Sequence, residues 1–409
     1  MIFTGFLPNA TTKDLFKSLA FLLLPWKWFC LRKGKENKRV EEWLRTYFNV
    51  SHVSTFDSGR TALQKGLEVL GVKEGDEVLV QAYTCMVVSN AIKWAGGTPV
   101  YIDVKDDLNM NPRDLEKKIT EKTKVLIIQH TFGKPADLEA LLAIAKKHNL
   151  KVIEDCAHSL GAKHKEKLVG THGDIGMFSF GTDKVVSAMR GGALITSDEN
   201  TGKKIEKIQH DLPTPRVVKT IQYLIAFPAF AIGKPLYRVG GRHFLGVLKK
   251  LNILGRIMYD AEKRGEQISF YPSQFANSFA SILRGQLEEM ENTNKHRQKI
   301  AKLYDEKITN KLITLPEKSS DSIYLRYPLS VENPIHMIIQ AKKHGIMLGN
   351  WYNAVVAPGD CNIEMSGYIK GTCPNAEKLS AQSVNLPTNR HIDIKQAQKI
   401  IDFVNSYEH

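Results

Sequence analysis

Four short apolar runs, spaced so that a helix fits between each pair, constrain this chain more than any other feature. They are EVLVQ at 77–81, TPVYID at 98–103, KVLIIQ at 124–129 and KVIED at 151–155, with helix-like stretches near 61–70, 86–95, 111–119 and 136–148. A strand can reach a parallel neighbour only through a crossover, and crossover helices cover both faces of the sheet they connect. The expected fold class is therefore α/β: a three-layer α/β/α large domain on a mostly parallel sheet, with a smaller C-terminal α+β domain. In such sheets ligands gather beyond the carboxyl ends of the strands. Asp155 is the last residue of the fourth run.

The chain divides into an N-terminal apolar and basic segment at 1–50, a large domain at 51–266 and a small domain at 267–409. In the first segment Leu15 to Phe29 read as an apolar helix, with N-cap chemistry between Asn9 and Asp14 and a stop or kink at Pro25. That run is shorter than the roughly 20 residues that span a bilayer. Trp26 and Trp28 beside Lys27, Arg32, Lys33 and Lys35 resemble an interfacial helix, and a helix packed on the protein body or a dimer partner is the alternative. Residues 216–260 form an apolar-basic insertion whose uncharged core, Ile221 to Ile232, contains Pro228. A two-part interfacial or re-entrant hairpin fits this pattern, as does an insertion buried between subunits. The small domain opens on one long charged helix, LRGQLEEMENTNKHRQKIAKLYDEKI, followed by strands near 324–330 and 345–349 and a closing helix, KQAQKIIDFVNSY.

A formal net charge of +14 favours anionic partners, either phosphorylated metabolites or an anionic membrane surface. No nucleic-acid motif accompanies the basic residues, so nucleic acid is not expected as a partner. The five cysteines show no CxxC spacing, which argues against zinc and a disulfide framework and for a reducing compartment; no metal site is expected. The N-terminal apolar run lacks a basic leader and a small-residue cleavage site. The expected location is the cytoplasm, at the inner face of the plasma membrane if 15–31 and 216–260 attach there.

Three positions carry chemistry. Asp57-Ser58-Gly59-Arg60-Thr61 precedes a helix, so its backbone amides and hydroxyls would converge on one anion. Asp155, with His158 three residues on, stands at a strand end, where an isolated carboxylate is by default a turn cap. Lys184 follows FSFGTD on a loop held between two apolar strands, with Ser179 five residues before it. A carboxylate for a pyridine nitrogen, a desolvated lysine for an imine and hydroxyls for a phosphate together suit pyridoxal phosphate.

SGRTAL, AYTCMVVSNAIKWAGGTPVYIDV, EDCAHSLGA, GTHGDIGMFSFGTDK and NLPTNRHID occur in that order, and together they resemble the DegT/DnrJ/EryC/StrS-type sugar aminotransferases, fold type I pyridoxal phosphate enzymes. The resemblance implies a homodimer with sites at the subunit interface, moving an amino group from glutamate or glutamine to a nucleotide- or lipid-linked keto sugar. It implies Lys184 as the cofactor-binding lysine, Asp155 as the ring-nitrogen partner and His158 as its neighbour. Ser58, Gly59, Arg60 and Ser179 fall in the phosphate region. Three departures stand out. Cys85 follows Thr84 where an aromatic ring is usual, leaving Tyr83 to stack on the cofactor. Arg190 replaces a glutamate, and the asparagine that reaches across the dimer has only Gln274 or Asn277 as candidates. These departures motivate the alternative of an inactive family member serving as a membrane-associated scaffold or regulatory subunit.

Overall fold

The computed structural model describes residues 1–5 and 7–408. Its centre is a seven-stranded sheet in the order His52–Phe56, Gly192–Thr196, Ile175–Ser179, Lys151–Asp155, Thr123–Gln129, Glu77–Gln81, Thr98–Ile102. Gly192–Thr196 runs antiparallel to both neighbours, and the other pairings are parallel. All four strands read from the apolar runs are present. Their central residues, such as Val125 to Ile128 and Ile153, are fully buried because helices cover both faces. Helices Gly59–Val69, Met86–Trp94, Pro112–Lys117 and Leu138–Lys147 take the connecting positions.

The second sheet, Ile313–Thr314, Tyr327–Val331 and Ser383–Leu386, is antiparallel and has its own apolar cluster with Ile300, Tyr304, Met337 and Ile400. The long charged helix expected here is two helices, Asn277–Glu288 and Met290–Lys307, separated at Glu289. The break redirects the chain between two cores. Ile282, Leu283 and Leu287 pack with the large sheet's cluster, whereas Ile300, Ala301 and Tyr304 pack with the small one.

The N-terminal segment is woven into the body. Strand Ile2–Phe3 pairs in parallel with Ile346–Met347. Helix Thr12–Leu23 is closed by a capping box between Thr11 and Asp14, and Pro25 starts a separate turn, Pro25–Trp28. This helix packs along helix Val217–Gly233 of the insertion. Pro228 lies inside that second helix and cannot donate to the carbonyl of Leu224. The buried hydroxyl of Ser18 takes its place, donating to Leu224 O at 2.7 Å. The insertion continues through Tyr237–Gly241 into helix Arg242–Lys250, so it has two helical parts. Among the described residues no helix is long and apolar enough to cross a membrane.

Candidate active site

Asp155 closes strand Lys151–Asp155 between Gln129 and Met177 on the neighbouring strands. Its Oδ1 accepts the N–H of Ala157 at 3.0 Å, which fixes the carboxylate at the strand end. Lys184 sits beyond strand Ile175–Ser179, where its own N–H closes a turn onto Gly181 O at 3.3 Å. Both residues line a cavity of about 340 Å³ at the carboxyl ends of the parallel strands. Burial pulls the Lys184 amine below its ordinary value against the opposing charge of Asp155. Burial also raises the Asp155 carboxyl, offset by the Ala157 N–H and Lys184. Each group therefore stabilises the charged form of the other.

Ser58 caps helix Gly59–Val69, its Oγ accepting the N–H of Thr61 at 3.2 Å. Gly59 is required by a close approach, since a Cβ there would lie 2.8 Å from Ser179 Cβ. That contact sets two hydroxyls and a helix N-terminus side by side in the cavity wall. A carboxylate, a desolvated amine and this hydroxyl-lined N-terminus form the donor set that a phosphorylated pyridine aldehyde needs, so the residues present fit the cofactor.

His158 is held by rings and makes no hydrogen bond to Asp155. Its plane lies parallel to Phe132, at 5.6 Å and 8°, and close to parallel to Tyr352, at 5.9 Å and 26°. Its Nδ1 is buried without a hydrogen-bond partner. Burial, helped by the positive Lys184 and Arg326, drives the imidazole well below its usual range. It is a neutral ring against the cavity wall.

The fold gathers Ser58, Gly59, Arg60, Cys85, Asp155, His158, Ser179 and Lys184 around one cavity. The Arg60 side chain is committed elsewhere, to buried Glu262, to Ile257 O at 2.8 Å and to the Tyr271 hydroxyl at 3.3 Å. Thr84 supports the wall from behind, donating to Gln129 Oε1 at 2.7 Å. Tyr83 does not reach the cavity as the stacking expectation required. Its hydroxyl is bonded to Ser383 Oγ at 2.8 Å and its ring meets Tyr352 edge-on. Gln274 and Asn277, expected to serve the site of a second subunit, make their hydrogen bonds within their own chain. Gln274 donates to His210 O at 3.1 Å, while Asn277 donates to Cys30 O at 2.6 Å and accepts from Glu36 N at 2.9 Å.

Residues not singled out in the sequence complete the site: Tyr352 and Trp351, Gln129, Arg326, and Ile257 with Met258 at the end of the insertion. Arg326 had a local signal, a lone cation in the apolar run YLRYPL. Arg190, the departure from the usual glutamate, pairs with Asp57 at 3.2 Å and donates to Tyr223 of the insertion helix at 3.0 Å. The buried cluster His130, Glu154 and Cys156 is already satisfied by protein. Glu154 accepts the N–H groups of Gly170 and Gly173 at 2.8 Å and meets His130 Nε2 at 3.2 Å, and His130 Nδ1 accepts the N–H of Ala136.

Comparison with known proteins places the chain among relatives. The chain is 40% identical over 168 residues to the GDP-perosamine synthase of Escherichia coli O157:H7, a stretch covering 41% of this chain and 46% of that protein. It is 36% identical over 179 residues, 43% of this chain and 48% of the other, to a UDP-N-acetyl-3-dehydro-alpha-D-glucosamine 3-aminotransferase of Acidithiobacillus ferrooxidans. Each match spans about half the length of the relative. The fold is shared with NtdA from Bacillus subtilis, solved with bound cofactor PMP, at a TM-score of 0.75 and 22% identity over 99% of this chain and 84% of that one. The model of one family matches residues 22–220 and 248–405, leaving a gap at 221–247 within the insertion. The chain belongs to the DegT/DnrJ/EryC1/StrS aminotransferase family.

Proposed function

We propose that this protein is a pyridoxal phosphate-dependent aminotransferase that moves an amino group from glutamate or glutamine to a keto sugar linked to a nucleotide or a lipid. The observation that carries this reading is the presence of Asp155, Lys184 and the Ser58–Ser179 cradle in one cavity. The two relatives named for GDP- and UDP-linked sugars support a nucleotide-linked acceptor.

When bound, the cofactor supplies an electron-withdrawing ring that stabilises the carbanion left when a proton leaves the donor carbon. Asp155, whose carboxyl burial raises while the Ala157 N–H and the Lys184 charge favour its ionised form, is placed to hold a protonated ring nitrogen. Ser58, Ser179 and the first turn of helix Gly59–Val69 are placed to bind the phosphate. Lys184, its proton affinity lowered by burial, is placed to take a proton from the donor carbon and give it up again within the donor half, and in the acceptor half to deliver a proton to the acceptor carbon. Phe132, His158 and Tyr352 make a wall of parallel rings that excludes water from this transfer. The purified protein should be yellow, and Lys184→Ala should lose the visible band and all amino transfer to nucleotide keto sugars. A colourless wild type that cannot be reconstituted with the cofactor would sink this reading.

The assembly we propose is a homodimer on the cytoplasmic face of a membrane. Phe29 (90% exposed), Trp26 (64%), Val239 (82%) and Leu251 (63%) turn outward on the N-terminal segment and the insertion. Lys27, Arg238, Arg242, Lys249 and Lys250 belong to the same two segments. Aromatic and aliphatic side chains mixed with cations suit the interface of an anionic leaflet. Flotation with anionic liposomes should carry the wild type and leave a Trp26→Ala/Trp28→Ala/Phe29→Ala variant behind. Wild type that stays with the soluble fraction would overturn membrane attachment, and sedimentation equilibrium checks the dimer.

A further inference from the structure

A second cavity, of about 530 Å³, is larger than the catalytic one and shares no lining residue with it. It is walled by the N-terminal segment, by one face of helix Val217–Gly233 and by residues 389–396 of the small domain. Leu7, Leu15, Phe227, Phe230 and Ile392 make that wall apolar. Thr12 and Ala231 are exposed at its edge, so the cavity opens between the N-terminal helix and the insertion helix. Among the described residues no aspartate or glutamate lines it, and its one lysine or arginine is Lys234.

The end of the insertion helix sets Lys234 in place, its N–H bonded to Phe230 O at 3.0 Å. Its ammonium makes one long hydrogen bond, to Leu7 O at 3.4 Å, and stands 5.8 Å from the centre of the Phe3 ring. Burial lowers the proton affinity of this amine. The acid whose charge acts on it, Asp183, belongs to the catalytic cavity and is paired there with Arg326 at 3.7 Å. Arg60 and Arg190, the other cations set against a cavity, each have a carboxylate of their own in Glu262 and Asp57. Lys234 has none among the described residues.

A charge withdrawn from water is costly unless it is paired. An anion at Lys234 supplies the pair, and an aliphatic chain attached to that anion buries its surface on the apolar wall. A small inorganic anion leaves the wall wet, and an uncharged lipid leaves the ammonium unpaired. The volume is that of an ordinary small-ligand pocket, apolar with few polar groups. We propose that this cavity binds a long-chain fatty acid, its carboxylate on the Lys234 ammonium and its chain along Leu15, Phe227 and Phe230. The carboxylate replaces the long bond to Leu7 O with a charge-assisted one. The site is separate from the outward-facing Trp26 and Phe29, neither of which lines it.

The test is fluorescence titration of the full-length protein with cis-parinaric acid, a polyene fatty acid whose emission rises in an apolar site. The wild type should show saturable binding at about one site per chain, displaced by palmitate and at least roughly tenfold less well by hexadecanol, which has the chain without the charge. Lys234→Gln should weaken palmitate roughly 10- to 100-fold, the loss of one charge-assisted contact, and bring it level with hexadecanol. Ala231→Phe, a substitution at an exposed position of the cavity edge, should block the entrance and abolish saturable binding, and it carries the test if Lys234→Gln does not fold. Trp26→Ala/Trp28→Ala/Phe29→Ala should bind as the wild type does. No saturable binding by the wild type, palmitate no better than hexadecanol, or affinity unchanged in Lys234→Gln and Ala231→Phe would overturn the assignment. So would displacement by acetate or inorganic phosphate, which marks a small-anion site. Loss of binding in the triple variant, or displacement by phosphatidylglycerol vesicles but not by palmitate, would also overturn it, because either places the lipid contact on the outer face.

Discussion

The side-chain amide of Asn9 donates to the backbone carbonyl of Lys184 at 2.5 Å, although the two residues are 175 positions apart. The other end of the Asn9 amide accepts from Arg297 at 3.0 Å, and Arg297 also donates to Val185 O at 2.8 Å. Arg297 is fully buried, and burial brings its guanidinium down to about 9. The loop that carries the candidate catalytic lysine is thus clamped by the N-terminal segment and by helix Met290–Lys307. Asn9→Ala strips a donor from one buried group and an acceptor from another, and should cost roughly 1–3 kcal/mol in urea unfolding. It should also weaken cofactor retention; wild-type values for both would refute the clamp.

Ser18 supplies the hydrogen bond that Pro228 withholds from Leu224 O. Ser18→Ala should destabilise the fold by about 1–3 kcal/mol, because the carbonyl is left buried and unpaired. Restoring the helical donor with Pro228→Ala in the same chain should recover much of that loss. Additive single-variant effects would show that the two sites do not share this acceptor.

The ion pair between Arg190 and Asp57, with side chains 8% and 10% exposed, ties the turn before Ser58 to the insertion helix through Tyr223. Arg190→Ala should cost on the order of 3–5 kcal/mol, since it strands the Asp57 charge in a low-dielectric site. Arg190→Lys should restore only part of this, as an ammonium cannot bridge Asp57 and the Tyr223 hydroxyl in one plane. Calorimetric melting of the three proteins decides it. Equal midpoints for Arg190→Lys and wild type would refute the bridge.

His158 gives a pH signature. Its folded value lies well below the ordinary value of about 6.5, through burial and then the charges of Lys184 and Arg326. Below about pH 6.5 the unfolded chain takes up a proton that the folded chain does not. Stability therefore falls with pH in that window, by up to about 1.4 kcal/mol per pH unit, until the folded histidine titrates. His158→Phe should remove this slope. Unfolding free energies of the cofactor-free proteins between pH 7.5 and 5.5 should diverge, and parallel curves would contradict a neutral buried ring.

The large sheet was legible because strands buried on both faces read as continuous apolar runs, whichever neighbours they have. Asp155 and Lys184 could be found because each sits at a fixed offset from such a strand. The ring wall was less legible. Tyr83 looked well placed to stack, but at φ +64° it turns behind Tyr352, and the backbone sign that decides this leaves no trace in the pattern. The break at Glu289 was likewise invisible, since LEEMEN contains no residue that stops a helix; only the need to serve two cores divides it.

By itself the sequence determined the α/β class, the positions of the strand ends and the chemistry offered there, because these follow from local periodicity and short motifs. The tertiary structure decided which distant residues complete that chemistry. Asn9 under Lys184, Arg326 across from it, Tyr352 against His158 and Ser18 beneath Pro228 are neighbours in space although each pair is separated by 142 to 210 positions in the sequence. Each answers a buried polar or aromatic group whose partner is set by three-dimensional proximity, and no one-dimensional spacing encodes that proximity.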